Sequence, residues 1–167
     1  QKTAETSPKT IITASLNEMQ KHLTPELRAG MVRQGLTVHE GVILASVVDQ
    51  EVSNPEDKKV VAQVFLRRLR EGRALESDAT AVYGAIMNGA KPSLTYDSEY
   101  NTYTHKGLPP SPISNVSKSG LDAVANPAKT NYLFFVAGDD GKTYFSQTLE
   151  EHEQLVKEHC KKLCSSQ

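Results

Sequence analysis

Two acids close an apolar run in this chain. In Leu44-Ala45-Ser46-Val47-Val48-Asp49-Gln50-Glu51-Val52 the carboxylates of Asp49 and Glu51 stand two residues apart, and paired carboxylates are the equipment of acid–base hydrolysis. A helix turns about 100° per residue. On that wheel Ile43, Leu44, Val47 and Val48 form one stripe with Glu51 near its centre, whereas Asp49 lies about 160° away. Glu51 is therefore expected to face the core and Asp49 the helix surface. The negative end of the helix dipole and partial loss of water both raise the pKa of a carboxyl placed like Glu51. Pushed towards roughly 6, such a group keeps a proton long enough to act as a general acid near neutrality. The plainer alternative is an ion pair between Glu51 and Arg67, Arg68 or Arg70 on the following helix. The pattern alone leaves both open.

The elements that must position these acids can be read from their caps. Apolar residues from Thr10 to His22 and a restart at Thr24-Pro25-Glu26-Leu27 predict two opening helices. Thr37-Val38-His39-Glu40 is a capping box, so a helix should run from Val38 to about Val52. Asn54-Pro55-Glu56-Asp57 starts the next, with Arg67, Arg68 and Arg70 in its last turn and Gly72 as its stop. Ser77-Asp78 should cap a short helix through Met87, and Ser119 to Ala125 is a second short one. Between them, residues 88–116 hold four prolines and Tyr96, Tyr100 and Tyr103: a long, aromatic, proline-stiffened loop of a length usually kept for function. Tyr132 to Ala137, Gly138-Asp139-Asp140-Gly141 and Lys142 to Ser146 form a β-hairpin. Thr148-Leu149-Glu150-Glu151 opens a final helix to about Leu163.

Composition removes several classes of function. The chain has 167 residues and a formal net charge of −1, which suits one domain and gives nucleic acid no electrostatic footing. No run of 18 apolar residues occurs, so any membrane anchor is expected upstream. Residues 1–9 read as a flexible linker and residues 10–167 as a single domain. Cys160 and Cys164 would lie on one face of the last helix with Cα atoms about 6 Å apart and parallel Cβ vectors, a poor disulfide geometry. They are expected as plain thiols. No His or Cys pair has zinc spacing, and neither metal nor cofactor is expected. His22, His39, His105, His152 and His159 have no fixed partner in sequence and receive no role.

Six blocks, in order, resemble one family. They are Leu44 to Glu51, Val61 to Leu69, Leu75 to Gly84, Tyr100 to Pro110, Asn126-Pro127-Ala128-Lys129-Thr130 and Tyr132 to Ala137. Together they resemble the YceG-like (MltG-type) family of membrane-anchored endolytic murein transglycosylases. The resemblance implies that Glu51 is the catalytic acid, since the family's first block carries Glu-Lys-Glu and its second Glu falls there. Asp49, Glu76, Ala79 and Ser111 depart from the usual pattern. It further implies peptidoglycan glycan strands as substrate, penicillin-binding cell-wall synthases as partners, a transmembrane anchor and a LysM-like lobe outside this chain, and an extracytoplasmic catalytic domain.

A transglycosylase of this kind needs only one carboxyl, because the muramic acid's own 6-hydroxyl can replace water. Aromatic faces of Tyr100 and Tyr103 suit pyranose rings, and Ser77, Asp78 and Asn101 can hydrogen-bond hydroxyls and acetamides. The expected architecture is α+β, a mainly helical, lysozyme-like core with one β-hairpin and the long loop along the cleft. Two rivals stand beside it: a catalytically silent peptidoglycan-binding module of a cell-wall synthesis complex, and a two-carboxylate hydrolase using Glu51 with Asp78 or Asp97.

Overall fold

The computed structural model describes residues 7–164. Seven helices and one hairpin follow in the order α1 (Pro8–His22), α2 (Pro25–Arg33), α3 (Val38–Glu51), α4 (Pro55–Arg70), α5 (Asp78–Met87), α6 (Lys118–Ala125), β1 (Phe134–Ala137), β2 (Thr143–Ser146) and α7 (Leu149–His159). This is an α+β chain. Local chemistry starts most of these elements as expected: both capping boxes are formed, Thr37 with Glu40 and Thr148 with Glu151, and the Asn54 side chain accepts from the Glu56 and Asp57 amides. Helix α1 starts at Pro8, capped by Ser7, two residues before the expected Thr10.

Helix α3 is the axis of the core. Its residues from Gly41 to Val48 are all buried, too many for one stripe, because α2, α4, α5 and α6 surround it. Helix α6 lies against α2 closely enough that a Cβ on Gly30 would come within 2.7 Å of the Ala125 Cβ. The hairpin is antiparallel with Phe134 opposite Ser146 and Ala137 opposite Thr143. It joins the helical core where Phe135 meets Phe65 edge to face at 5.7 Å, and α7 packs across both strands.

Two expectations are overturned here. Asp49 is no surface residue: its side chain is 7% exposed and pairs with Lys58, itself 8% exposed, at 2.7 Å. Its carboxylate also accepts from the Ser117 amide and hydroxyl at the start of α6, and Gly120 leaves the room, since a Cβ there would fall 2.6 Å from it. The wheel placed Asp49 away from Glu51 correctly, but a second helix covers that side too.

Cys160 and Cys164 form a disulfide, with Cα atoms 5.4 Å apart. The parallel geometry that argues against a bond holds only inside a helix, and α7 ends at His159 with Cys160 as its cap. The departing turn is held by Asp139 at the hairpin tip, whose carboxylate accepts from the amides of Lys161, Lys162 and Leu163.

Candidate active site

A cleft of about 400 Å³ opens between the end of α3 and the hairpin–α7 wall. Glu51 lies in it with Arg68, Glu76, Asp78 and Tyr103, while Phe134, His152 and the disulfide line the opposite side. Glu51 is the last residue of α3, and its carboxyl is partly buried. Its pKa is raised to about 7, chiefly by desolvation; the Ser77 hydroxyl works against that rise, the Asp78 carboxylate adds to it, and the Arg68 cation opposes it. Half of such groups carry a proton at neutrality, which is the state a general acid needs.

The Leu75-Glu76-Ser77 turn aims Ser77 at this carboxyl. Ser77 was expected to cap α5, yet its side chain makes no cap bond; its hydroxyl donates to Glu51 Oε1 at 2.5 Å. The turn requires Glu76 at φ +54°, a left-handed backbone that costs a non-glycine residue about 1–2 kcal/mol. Three bonds hold it there: Arg68 Nη1 donates to Leu75 O at 2.8 Å, the Glu76 amide donates to Thr102 O, and the Ser77 amide donates to Thr102 Oγ1. Arg68 is thus occupied elsewhere. It pairs with Glu76 at 2.8 Å and donates to Leu133 O, so the ion pair between Glu51 and an arginine does not form. Arg67 pairs with Glu71 instead.

The long loop contributes one side chain to the cleft. Tyr103 is half exposed and donates its hydroxyl to Asp78 Oδ1 at 2.5 Å; burial, then Asp78, pushes the phenol's pKa upward, so it stays protonated. Asn101 and Tyr100 do not line the cavity. Asn101 is wholly buried, donating to Leu94 O and Tyr96 O and accepting from the Tyr103 amide, so it shapes the loop that presents Tyr103. Tyr100 packs on Tyr83 with ring centroids 4.9 Å apart and bonds Ser111 through its hydroxyl. Asp97 is an exposed partner of His105 and is also outside the cleft.

Arg68, Phe134 and His152 are the site residues that sequence reasoning missed. His152 stacks on Phe134 at 5.4 Å, and burial, then Arg68, lowers its pKa, so the ring is neutral at physiological pH. From the sequence, Arg68 was named only as one of three possible ion-pair partners of Glu51, and the signal that it turns inward was its place on the apolar side of α4.

An endolytic murein transglycosylase of Bacillus subtilis (strain 168) is 32% identical over 93% of this chain and 44% of its own length. One from Streptococcus pneumoniae serotype 2 (strain D39 / NCTC 7466) is 32% identical over 92% of this chain and 29% of its own. The chain thus spans less than half the length of these curated relatives. A crystal structure of a yceG-like protein from Listeria monocytogenes superposes with TM-score 0.80 and 36% identity, over 93% of this chain and 52% of that one. The model of the YceG-like family matches residues 1–158, and the chain belongs to that family.

Proposed function

We propose that this chain is the catalytic part of an endolytic lytic transglycosylase that cuts the β-1,4 bond between N-acetylmuramic acid and N-acetylglucosamine in peptidoglycan and leaves 1,6-anhydro ends, terminating nascent strands. The observation that carries this is the Glu51 carboxyl, held with a pKa near 7 in the cleft and fixed by one hydroxyl donor. The names of the relatives support the substrate class.

In the first step Glu51 gives its proton to the glycosidic oxygen as the bond to the muramic C1 breaks. In the second, the muramic 6-hydroxyl oxygen bonds to C1 and its proton passes to the Glu51 carboxylate, restoring the acid. No water enters. Asp78 supplies negative charge beside the developing oxocarbenium ion, Glu76 being paired with Arg68, and Tyr103 keeps Asp78 in place through its hydroxyl. Exposed Tyr103 offers a ring face to the sugar. The catalytic part works outside the cytoplasm, tethered through an upstream anchor, beside penicillin-binding synthases.

Asp78 in the same cleft gives the two-carboxylate hydrolase a footing. Digestion of isolated sacculi followed by mass spectrometry separates the readings. A transglycosylase yields 1,6-anhydro products; a hydrolase yields reducing-end muramic acid; a silent binding module yields neither. Glu51→Gln should lower the rate about 10²–10⁴-fold, the range of general acid catalysis. Undiminished rate in that variant would assign the acid elsewhere.

A further inference from the structure

The block Asn126-Pro127-Ala128-Lys129-Thr130 takes no part in the cleft, yet it borders a second cavity of about 450 Å³. The two cavities flank α4: Arg68 faces the first, Leu66 and Arg70 the second. Three cations converge on the second, Arg33 from the end of α2, Arg70 from the end of α4, and Lys129 from the block. All three are exposed, and among the described residues none has an acidic partner or a side-chain hydrogen bond. On the same helix Lys58, Lys59, Arg67 and Arg68 are paired with Asp49, Glu56, Glu71 and Glu76, so among the described residues Arg70 is the cation of α4 that has no acidic partner.

These cations in part balance helix ends. Helices α2, α4 and α6 all finish here, each presenting roughly half a negative charge. Three full positive charges exceed about one and a half negative ones, so the cavity keeps a net positive field. Its rim is also fixed: the Ala128 amide donates to Lys59 O, Thr130 Oγ1 donates to Gln63 Oε1, Gln63 donates to Tyr132 O, and Arg67 donates to Asn131 O. The segment that carries Lys129 is thus held in place, and three cations with no counter-charge attract an anion to this wall. The remaining wall is not that of a bare phosphate cradle. Gln34 offers an amide, the Asn126 amide already donates to Asp122 Oδ1, and Leu66, Ala125 and Pro127 offer apolar surface, in a volume typical of small-ligand sites.

We infer that this cavity binds a short acidic peptide through its carboxylates, with Arg33, Arg70 and Lys129 as the charged contacts and Gln34 as an amide partner. Resting on the proposed function, the occupant is a carboxylate-bearing peptide stem carried by the glycan strand. The site then selects strands by their peptide substituents while Glu51 cuts the sugar.

The test uses the chain with a fluorophore-labelled pentapeptide bearing two free carboxylates, its bis-amide, and inorganic phosphate as competitor. The acid peptide should bind at low salt, weaken at least tenfold in Arg33→Glu/Lys129→Glu, and be unaffected in Glu51→Gln; the bis-amide should bind at least tenfold less. Equal binding of the bis-amide, or no loss in the double variant, overturns the proposal. Phosphate binding without peptide binding overturns it in favour of a simple anion site. Single Lys129→Glu, an exposed change, should give at least a threefold loss and guards against misfolding of the double variant. Cleavage separates the two readings: the double variant should cut peptide-free glycan at the wild-type rate and peptide-bearing glycan with a raised KM. Peptide binding without any cleavage would remove the proposed activity but leave the site.

Discussion

At the scale of single residues, everything turns on the protonation of Glu51. Its pKa stands near 7 in the fold against 4.5 for the free side chain, mainly through desolvation. Between those values the folded chain binds more protons than the unfolded one, so this group's stabilising contribution is complete below about pH 4.5 and lost as pH rises through 7. The loss amounts to at most about 3 kcal/mol, less because the carboxyl is partly open to water. Glu51→Gln should therefore melt at the same temperature as the wild type at pH 4 and higher than it at pH 8; a lower Tm at pH 8 would contradict the desolvation argument. Activity, which needs the protonated form at the start, should fall as pH rises above about 7. Ser77→Ala removes a bond that holds the pKa down, so the basic limb of the pH–rate profile should move to higher pH. Lost positioning should also cost about tenfold in rate, about 1.5 kcal/mol for a bond to a charged group. An unmoved limb would show that the Ser77 hydroxyl does not touch the carboxylate.

At the scale of elements, the same helix carries two acids with two unlike tasks. Glu51 at its end serves the cleft, and Asp49 ties α3 to α4 and α6 through Lys58 and Ser117. Removing one member of a buried pair leaves the other charged and unsolvated, which costs about 3–5 kcal/mol. Asp49→Ala should lose stability on that order in urea titration, whereas Asp49→Leu with Lys58→Met should recover most of it. A loss under about 1 kcal/mol for Asp49→Ala would mean that the pair is solvated. Arg68 is the corresponding junction on α4, joining the Leu75-Glu76-Ser77 turn to the hairpin at Leu133.

At the scale of the whole molecule, the cleft exists because two bodies meet. One is the helical core around α3; the other is the hairpin with α7, where Tyr144 stacks on His159 at 3.8 Å. The disulfide closes the far end of the second body, and its cysteines line the cleft. It spans only four residues of separation, so the closed loop is short and the bond constrains the unfolded chain by only about 2 kcal/mol. Cys160→Ser/Cys164→Ser should lower Tm by about 4–8 °C and leave the reaction products unchanged. Loss of all activity with the fold intact would give the disulfide a role in shaping the site.

Much of this was legible locally. Caps, prolines and apolar spacing are interactions within a few residues, and they set the start of α2, α3, α4 and α7. The rotation of Glu51 into the apolar stripe follows from helical geometry, and the raised pKa follows from that burial. Tyr103 and Asp78 were expected at the site and lie in the cleft; Tyr100 and Asn101, with the same residue chemistry, do not. Nothing local distinguishes Tyr100 from Tyr103, because the difference is which one a folded loop turns outward. Ser77 kept its place but changed its bond, from the helix cap to Glu51, since that carboxyl arrives from 26 residues away. Asp49 was misplaced because a helical wheel knows one neighbour and a second helix covers it, and Cys160 because α7 ends before it, so the wheel does not apply. Sequence alone determined where helices begin, that the two acids point to different sides of α3, and the family pattern, because those depend on short-range spacing. Only the tertiary structure decided what each polar group pairs with, because partners for buried charges come from distant segments brought together by packing.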